Sequence, residues 1–137
     1  MVTKTLLTKN TKKIIEKQRV NAKEMMFDFN NTRPSDMETR TKILKELLGS
    51  VGKGDLSCNH LHIFAYGCNT HIGKNFYANF NFQVVDDCEV FIGDDVMCGP
   101  NVLLCVTGHP LDPEYRLVVL NSPCQFISVT VYGLALV

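Results

Sequence analysis

The sequence predicts a mainly β fold, a parallel β-helix reached through an N-terminal helical segment, and three observations predict it. Aliphatic or small residues recur every six positions at Ile72, Ala78 and Val84 and, after a two-residue slip, at Ile92, Cys98 and Leu104. Four residues beyond members of that series stand Phe76, Phe82, Val96 and Val102. Each six-residue unit therefore has two inward positions, a pattern that fits neither an α-helix nor a simply alternating strand. The segments HIGKNF and FIGDDV place glycine after isoleucine, where a turn demands either room or a positive φ. In a β-helix each coil pairs its backbone with the next and stacks its inward side chains in a column. One coil cannot bury its own face, so several coils and a cap are required.

The elements follow in chain order. A chain of 137 residues suffices for one domain with a real core. Residues 1 to 30 are rich in Lys and Arg (Lys4, Lys9, Lys12, Lys13, Lys17, Arg19, Lys23), with apolar pairs at Ile14, Ile15 and Met25, Met26, which predicts one or two basic amphipathic helices. The stretch NNTRPSDMETRTKILKELLGS gives a better-marked helix. Ser35 and Glu38 have capping-box spacing, Ile43, Leu44, Leu47 and Leu48 form an apolar face, and Gly49 is the expected stop. The helical segment is thus set at 1–50 and the β-helix coils at 51–116.

Composition limits the function. The 14 basic and 14 acidic residues cancel, so no overall field draws the chain to nucleic acid or an anionic membrane, and neither partner is expected. Cysteines at 58, 68, 88, 98, 105 and 124 form no Cys-x-x-Cys pair, and the N-terminus lacks the features of a signal peptide, so a reducing cytoplasmic setting fits. Buried free cysteines act as small hydrophobes, and Cys105, four residues before His109, has no motif around it that marks a nucleophile.

The segment HIGKNFYANFNFQVVDDCEVFIGDDVMCGPNVLLCVTGHPLDPEYR resembles the galactoside and maltose O-acetyltransferases of the hexapeptide-repeat superfamily. The preceding MMFDFNNTRPSDMETRTKILKELLGSVG resembles that family's N-terminal helical segment, so the likeness covers roughly residues 10 to 116. FYANFN followed thirty residues later by TGHP is its most specific part. The resemblance implies a left-handed coil, against the usual right-handed crossover. It also implies a homotrimer with sites between subunits, and acetyl transfer from acetyl-CoA to a sugar hydroxyl without a metal. Such a transfer must take a proton from a weakly acidic alcohol as it attacks, which suits a histidine with a pKa of about 6.5. By the resemblance His109 is that general base, Asn79 contacts the acceptor near the reacting hydroxyl, Asp87 and Tyr77 line the acceptor pocket, and Arg19 reaches it from the helical segment. Each also fits a plain turn, corner or surface residue. Ala65, in FAYGCN, stands where galactoside enzymes have a small hydroxyl residue, so galactoside, maltose and related sugars all stay open.

A second class of function stays open beside this one. Some left-handed β-helices are zinc carbonic anhydrases, and His60 and His62 in HLH are expected on one strand face, with His71 and His109 as further ligands. After Arg116 the resemblance stops. Residues 117–137, LVVLNSPCQFISVTVYGLALV, hold no charge, no Ile-Gly turn and no six-residue period. Asn121, Pro123, Gln125 and the lack of flanking basic anchors argue against a membrane span. Read in a shifted frame, these residues are compatible with a family-like string containing two Ile-Gly turns and a Trp. The expectation is therefore a truncated β-helix, incomplete at its C-terminus and ending in a frame-shifted tail. The alternative function is then an inactive fragment, without its CoA-binding coils, acting at most as an assembly partner.

Overall fold

The structure, a computed structural model, describes residues 9–106, 108, 113–114, 129–131 and 135–136. Two helices, α1 (Lys9–Asn31) and α2 (Met37–Leu47), precede short strands: β1 (Ser50–Val51), β2 (Leu56–Cys58), β3 (Ile63–Phe64), β4 (Thr70–Ile72), β5 (Phe76–Ala78), β6 (Gln83–Val85), β7 (Val90–Ile92), β8 (Met97–Cys98), β9 (Leu103–Cys105), β10 (Val129–Val131) and β11 (Ala135–Leu136). Each strand pairs in parallel with the one three places along, giving three sheets ordered β1-β4-β7-β10, β2-β5-β8-β11 and β3-β6-β9. This is a parallel β-helix with three faces. Two strands of the uncharged C-terminal stretch, β10 and β11, extend two of those sheets by one strand each.

The register explains the slip in the repeat. Thr70 lies opposite Val90, Tyr77 opposite Met97 and Gln83 opposite Leu103, so a coil takes 20 residues. Inward positions are spaced by six, six and then eight along Ile72, Ala78, Val84 and Ile92, all of them buried. The two extra residues widen one corner of the triangle. Phe76, Phe82, Val90, Val96 and Cys98 complete the buried column, whereas Val102 and Leu104 further along are only partly buried.

The corners differ in chemistry. At the two tight ones a residue adopts positive φ: Asn75 and Asp95 at one, Leu61, Asn81 and Asn101 at the other. Asn and Asp tolerate that conformation best. Side-chain bonds run from coil to coil, Asn75 Nδ2 to Asp95 Oδ1 at 2.8 Å and Asn81 Nδ2 to Asn101 Oδ1 at 2.8 Å. The glycine of HIGKNF has a different duty from the positive φ that a turn can require. A Cβ on Gly73 would come within 2.6 Å of Gly93 in the next coil, so close backbone approach excludes a side chain there. The wide corner is pinned by Asp86, which is fully buried and accepts from Tyr66 N at 2.8 Å and Thr70 Oγ1 at 3.0 Å. Burial pushes its carboxyl above the usual range despite these bonds, which oppose the shift.

The helices close the first coil. Ala22, Met26 and Phe29 share one face of α1 and pack with Leu44, Leu47 and Leu48 against Leu56, Cys58 and Phe64. The basic stretch forms one helix, and its apolar pair at Ile14 and Ile15 stays outside the core, Ile14 being 58% exposed. The cap of α2 is Asp36, one residue beyond the expected Ser35; its Oδ1 accepts from Thr39 N at 3.1 Å, which places Glu38 in the first turn. Gly49 is no left-handed stop, since Leu48 ends the helix in extended geometry. A Cβ on Gly49 would meet Cys68 O at 2.4 Å.

Arg40 fastens helices to coils. Its side chain is nearly fully buried, with the guanidinium 4.0 Å from the centre of the Phe29 ring. Nη1 donates to Phe29 O at 3.2 Å and Thr32 O at 3.4 Å, and Nη2 to Cys58 O at 2.9 Å and Asn59 O at 2.6 Å. The first two carbonyls close the C-terminal end of α1, where the helix dipole favours a cation. Desolvation draws the arginine below its usual pKa range. Arg40→Ala leaves four carbonyls without that donor and is expected to cost about 3–5 kcal/mol. Arg40→Lys, which keeps the charge but loses the planar fork, should cost less. Urea unfolding of the three proteins checks both; a loss within about 0.5 kcal/mol for Arg40→Ala would contradict the clamp.

Candidate active site

The outer face of the β2-β5-β8 sheet and the corner after it gather a small polar cluster. Tyr77 points outward from β5, because the residues on either side of it, Phe76 and Ala78, are buried. Asn79 follows β5 directly, and Asn59 follows β2 one coil earlier. Asn59 Nδ2 donates to Tyr77 Oη at 3.1 Å and to Asn79 Oδ1 at 3.2 Å, and Phe80 N also donates to Asn79 Oδ1 at 2.8 Å. Two of the residues expected to bind the acceptor are therefore joined, through a third that the sequence reading did not single out.

The other expected residues stand elsewhere. Asp87 is half-buried in the wide corner after β6, next to Asp86, on a different vertex of the triangle from Asn79. Arg19 is exposed on α1 with its guanidinium 5.4 Å above the Tyr66 ring, and Tyr66 N donates to Asp86, so Arg19 belongs to the same wide corner. Within one chain Tyr77 and Asn79 thus share one corner, Asp87 and Arg19 lie toward another with no contact between those two side chains recorded, and the four are not brought together. His109 lies outside the described residues. The chain before it is anchored, since Val106 is buried and its N–H donates to Val85 O at 3.2 Å.

The histidines expected to share a strand face are separated by the backbone. Leu61, between His60 and His62, has φ 64°, which turns the chain at a corner. His62 is 1% exposed and sits between the rings of Phe29 and Phe82, with Nδ1 3.4 Å from Phe82 O and Nε2 without a partner. His71 lies on another sheet, where Nδ1 meets Ser50 Oγ at 2.9 Å, Nε2 meets Glu89, and the ring stacks on Phe91. Among the described residues no three His, Cys, Asp or Glu side chains are placed to hold a metal ion. Two thiols are core filling, and burial pushes Cys58 up to about 12 and Cys98 up to about 11.

Comparison with known proteins follows the same lines. The family model for the maltose acetyltransferase hexapeptide capping motif matches residues 10–52, the helical segment through β1. The galactoside O-acetyltransferase of Escherichia coli (strain K12) is 45% identical over 102 residues, which are 74% of this chain and 50% of that protein. A crystal structure of a maltose O-acetyltransferase from Clostridium difficile 630 matches with a TM-score of 0.73 at 38% identity, over 76% of this chain and 55% of that one. A galactoside acetyltransferase in complex with coenzyme A matches with a TM-score of 0.67 at 39% identity, over 83% and 56% of the two chains. Over the part it covers, the chain is similar in sequence and fold to the galactoside and maltose O-acetyltransferases. It spans about half the length of the curated relatives it matches.

In this chain Asn59 and Arg40 are the residues that sequence reasoning passed over, and each left a signal. Asn59 precedes Asn79 by one 20-residue coil, visible once the coil length is known. Arg40 stands four and seven residues before Leu44 and Leu47, on the apolar face of α2. His62 shows what burial does to an ionisable group here. Desolvation, the largest cause, pulls its pKa down to about 4 from 6.5. A depressed folded-state pKa means that stability is whole above pH 6.5 and falls as the pH drops toward about 4, by roughly 3 kcal/mol for this residue. Urea midpoints at pH 7 and pH 4.5 should therefore diverge less in His62→Leu than in the parent chain; equal divergence would contradict the assignment.

Proposed function

We propose that this chain acts in sugar O-acetylation, taking an acetyl group from acetyl-CoA to a hydroxyl of a galactoside, maltose or related sugar. The observation that supports this best is the joined polar surface of Tyr77 and Asn79, within FYANFN, on a chain whose relatives are named for galactoside and maltose acetylation. In this reading Asn79 and Tyr77 hold the acceptor by hydrogen bonds, and His109 accepts the hydroxyl proton as the sugar oxygen attacks the thioester carbonyl. The new C–O bond forms, the C–S bond breaks, and the imidazolium returns its proton to the departing thiolate. Acetyl passes directly from one substrate to the other, with no covalent enzyme intermediate.

The separation of these residues supports a shared site. Tyr77 and Asn79 face outward from one sheet and its corner, while Asp87 and Arg19 occupy another vertex, so one acceptor meets all four only where two copies adjoin. A homotrimer of left-handed coils, working in the cytoplasm, supplies that arrangement. A carboxylate such as Asp87 would then accept hydrogen bonds from adjacent sugar hydroxyls. We read residues 51–116 as the part that holds the acceptor and the base, and 117–137 as a tail from a shifted frame.

The test is release of free CoA thiol from acetyl-CoA, with methyl β-D-galactoside or maltose as acceptor. His109→Ala is expected to lower the sugar-dependent rate by about 10²–10⁴. A sugar-dependent rate that survives the substitution unchanged would overturn the role of His109.

A further inference from the structure

Asn59 belongs to neither of the motifs that mark the family, yet it is the hub of the polar cluster. Its place is fixed from below by Arg40, whose Nη2 holds the carbonyls of Cys58 and Asn59. Its side chain reaches across to the next coil and touches Tyr77 and Asn79 together.

The hydrogen-bond chemistry of this trio has one consistent arrangement. Phe80 N–H is a backbone donor, so the Asn79 atom 2.8 Å from it is the carbonyl oxygen. The Asn59 atom facing that same oxygen must then donate as well, which makes it the amide nitrogen. An amide oxygen accepts two such bonds, and both are taken. The Asn79 NH2 group therefore lies at the other edge of the planar amide, turned away from Asn59. The same Asn59 nitrogen donates to Tyr77 Oη, so the phenolic proton is directed elsewhere.

From this we infer that Asn59 is a positioning residue that makes Tyr77 and Asn79 a surface of hydrogen-bond donors, suited to the oxygen lone pairs of a neutral sugar. The inference rests on the proposed sugar acetylation for its ligand, and on the geometry alone for the polarity of the surface. The groups left over, the Asn79 NH2 and the Tyr77 O–H, are donors, and the hydroxyl and ring oxygens of a sugar can accept from them. Asn59 itself touches no reacting atom; it acts through its two neighbours.

The decisive variant is Asn59→Asp, which keeps size and shape but replaces the donor with an acceptor. Beside a carboxylate, Tyr77 must turn its proton inward, and Asn79 must either face the carboxylate with its oxygen or flip and lose its bond to Phe80 N. The side-chain amide signals of Asn79 in ¹⁵N–¹H spectra of the ligand-free chain report this directly, and titration with methyl β-D-galactoside or maltose reports the consequence. The expected result is shifted Asn79 amide signals, a backbone spectrum otherwise unchanged, and sugar affinity lower by about tenfold or more. Asn59→Ala, which removes the donor without adding a charge, should weaken binding by a smaller factor and serves if the aspartate variant fails to fold. Unshifted Asn79 signals, or unaltered sugar affinity in the variants, would overturn the inference. If the parent chain binds neither sugar while Asn59→Asp still shifts the Asn79 signals, the polarity assignment stands and sugar acetylation is the reading that falls.

Discussion

A single desolvated guanidinium ties the parts of this molecule together. Arg40 carries a full charge into a site from which water is excluded, and no carboxylate pairs with it among the described residues. Four carbonyl dipoles and the face of Phe29 take the place of a counter-ion. Such a charge is tolerable only when every partner is present, so the end of α1, the body of α2 and the end of β2 must meet in one geometry. The apolar contacts of Ala22, Met26, Phe29, Leu44 and Leu47 supply much of the burial, but they would allow the helices to slide. Directional bonds to named carbonyls remove that freedom.

The consequence reaches the outer surface. Cys58 and Asn59 are held through their carbonyls, the Asn59 side chain reaches the next coil, and Tyr77 and Asn79 take their orientation from it. A helical cap with no residue among Tyr77, Asn79 and Asn59 thus controls their alignment. The parallel coils carry the same order upward, because each corner repeats 20 residues later and is bonded to the one below by asparagine or aspartate side chains. Beyond β7 and β8 the short apolar strands β10 and β11 add to the same two sheets. An exposed sheet edge accepts a β-prone segment without asking for a glycine turn or a strict period.

Much of the fold was legible because its cause is local and repeated. Ile72, Ala78, Val84, Ile92 and Cys98 point inward whatever surrounds them, and their spacing alone implies stacked coils. Tyr77 and Asn79 stood inside a distinctive motif. What stayed hidden depended on dihedral angles or on contacts between distant segments. The left-handed conformation of Leu61 sends His60 and His62 apart, and leucine gives no hint of it. Arg40 has the residue type of a surface position, and only its placement on the face of Leu44 and Leu47 betrays its burial. Asn59 becomes meaningful when coil length is known to be 20, since only then does it stand under Asn79. Asp36 displaced Ser35 as the cap because both are competent and one residue of register decides between them.

The most direct measurement is a double-mutant cycle between Arg40→Lys and Asn59→Ala, read as the affinity for methyl β-D-galactoside. If the clamp acts on the sugar surface through Asn59, the second substitution should add little once the first is made, leaving a coupling of about 0.5–3 kcal/mol. Additive losses, or a parent chain that binds no galactoside, would contradict the account.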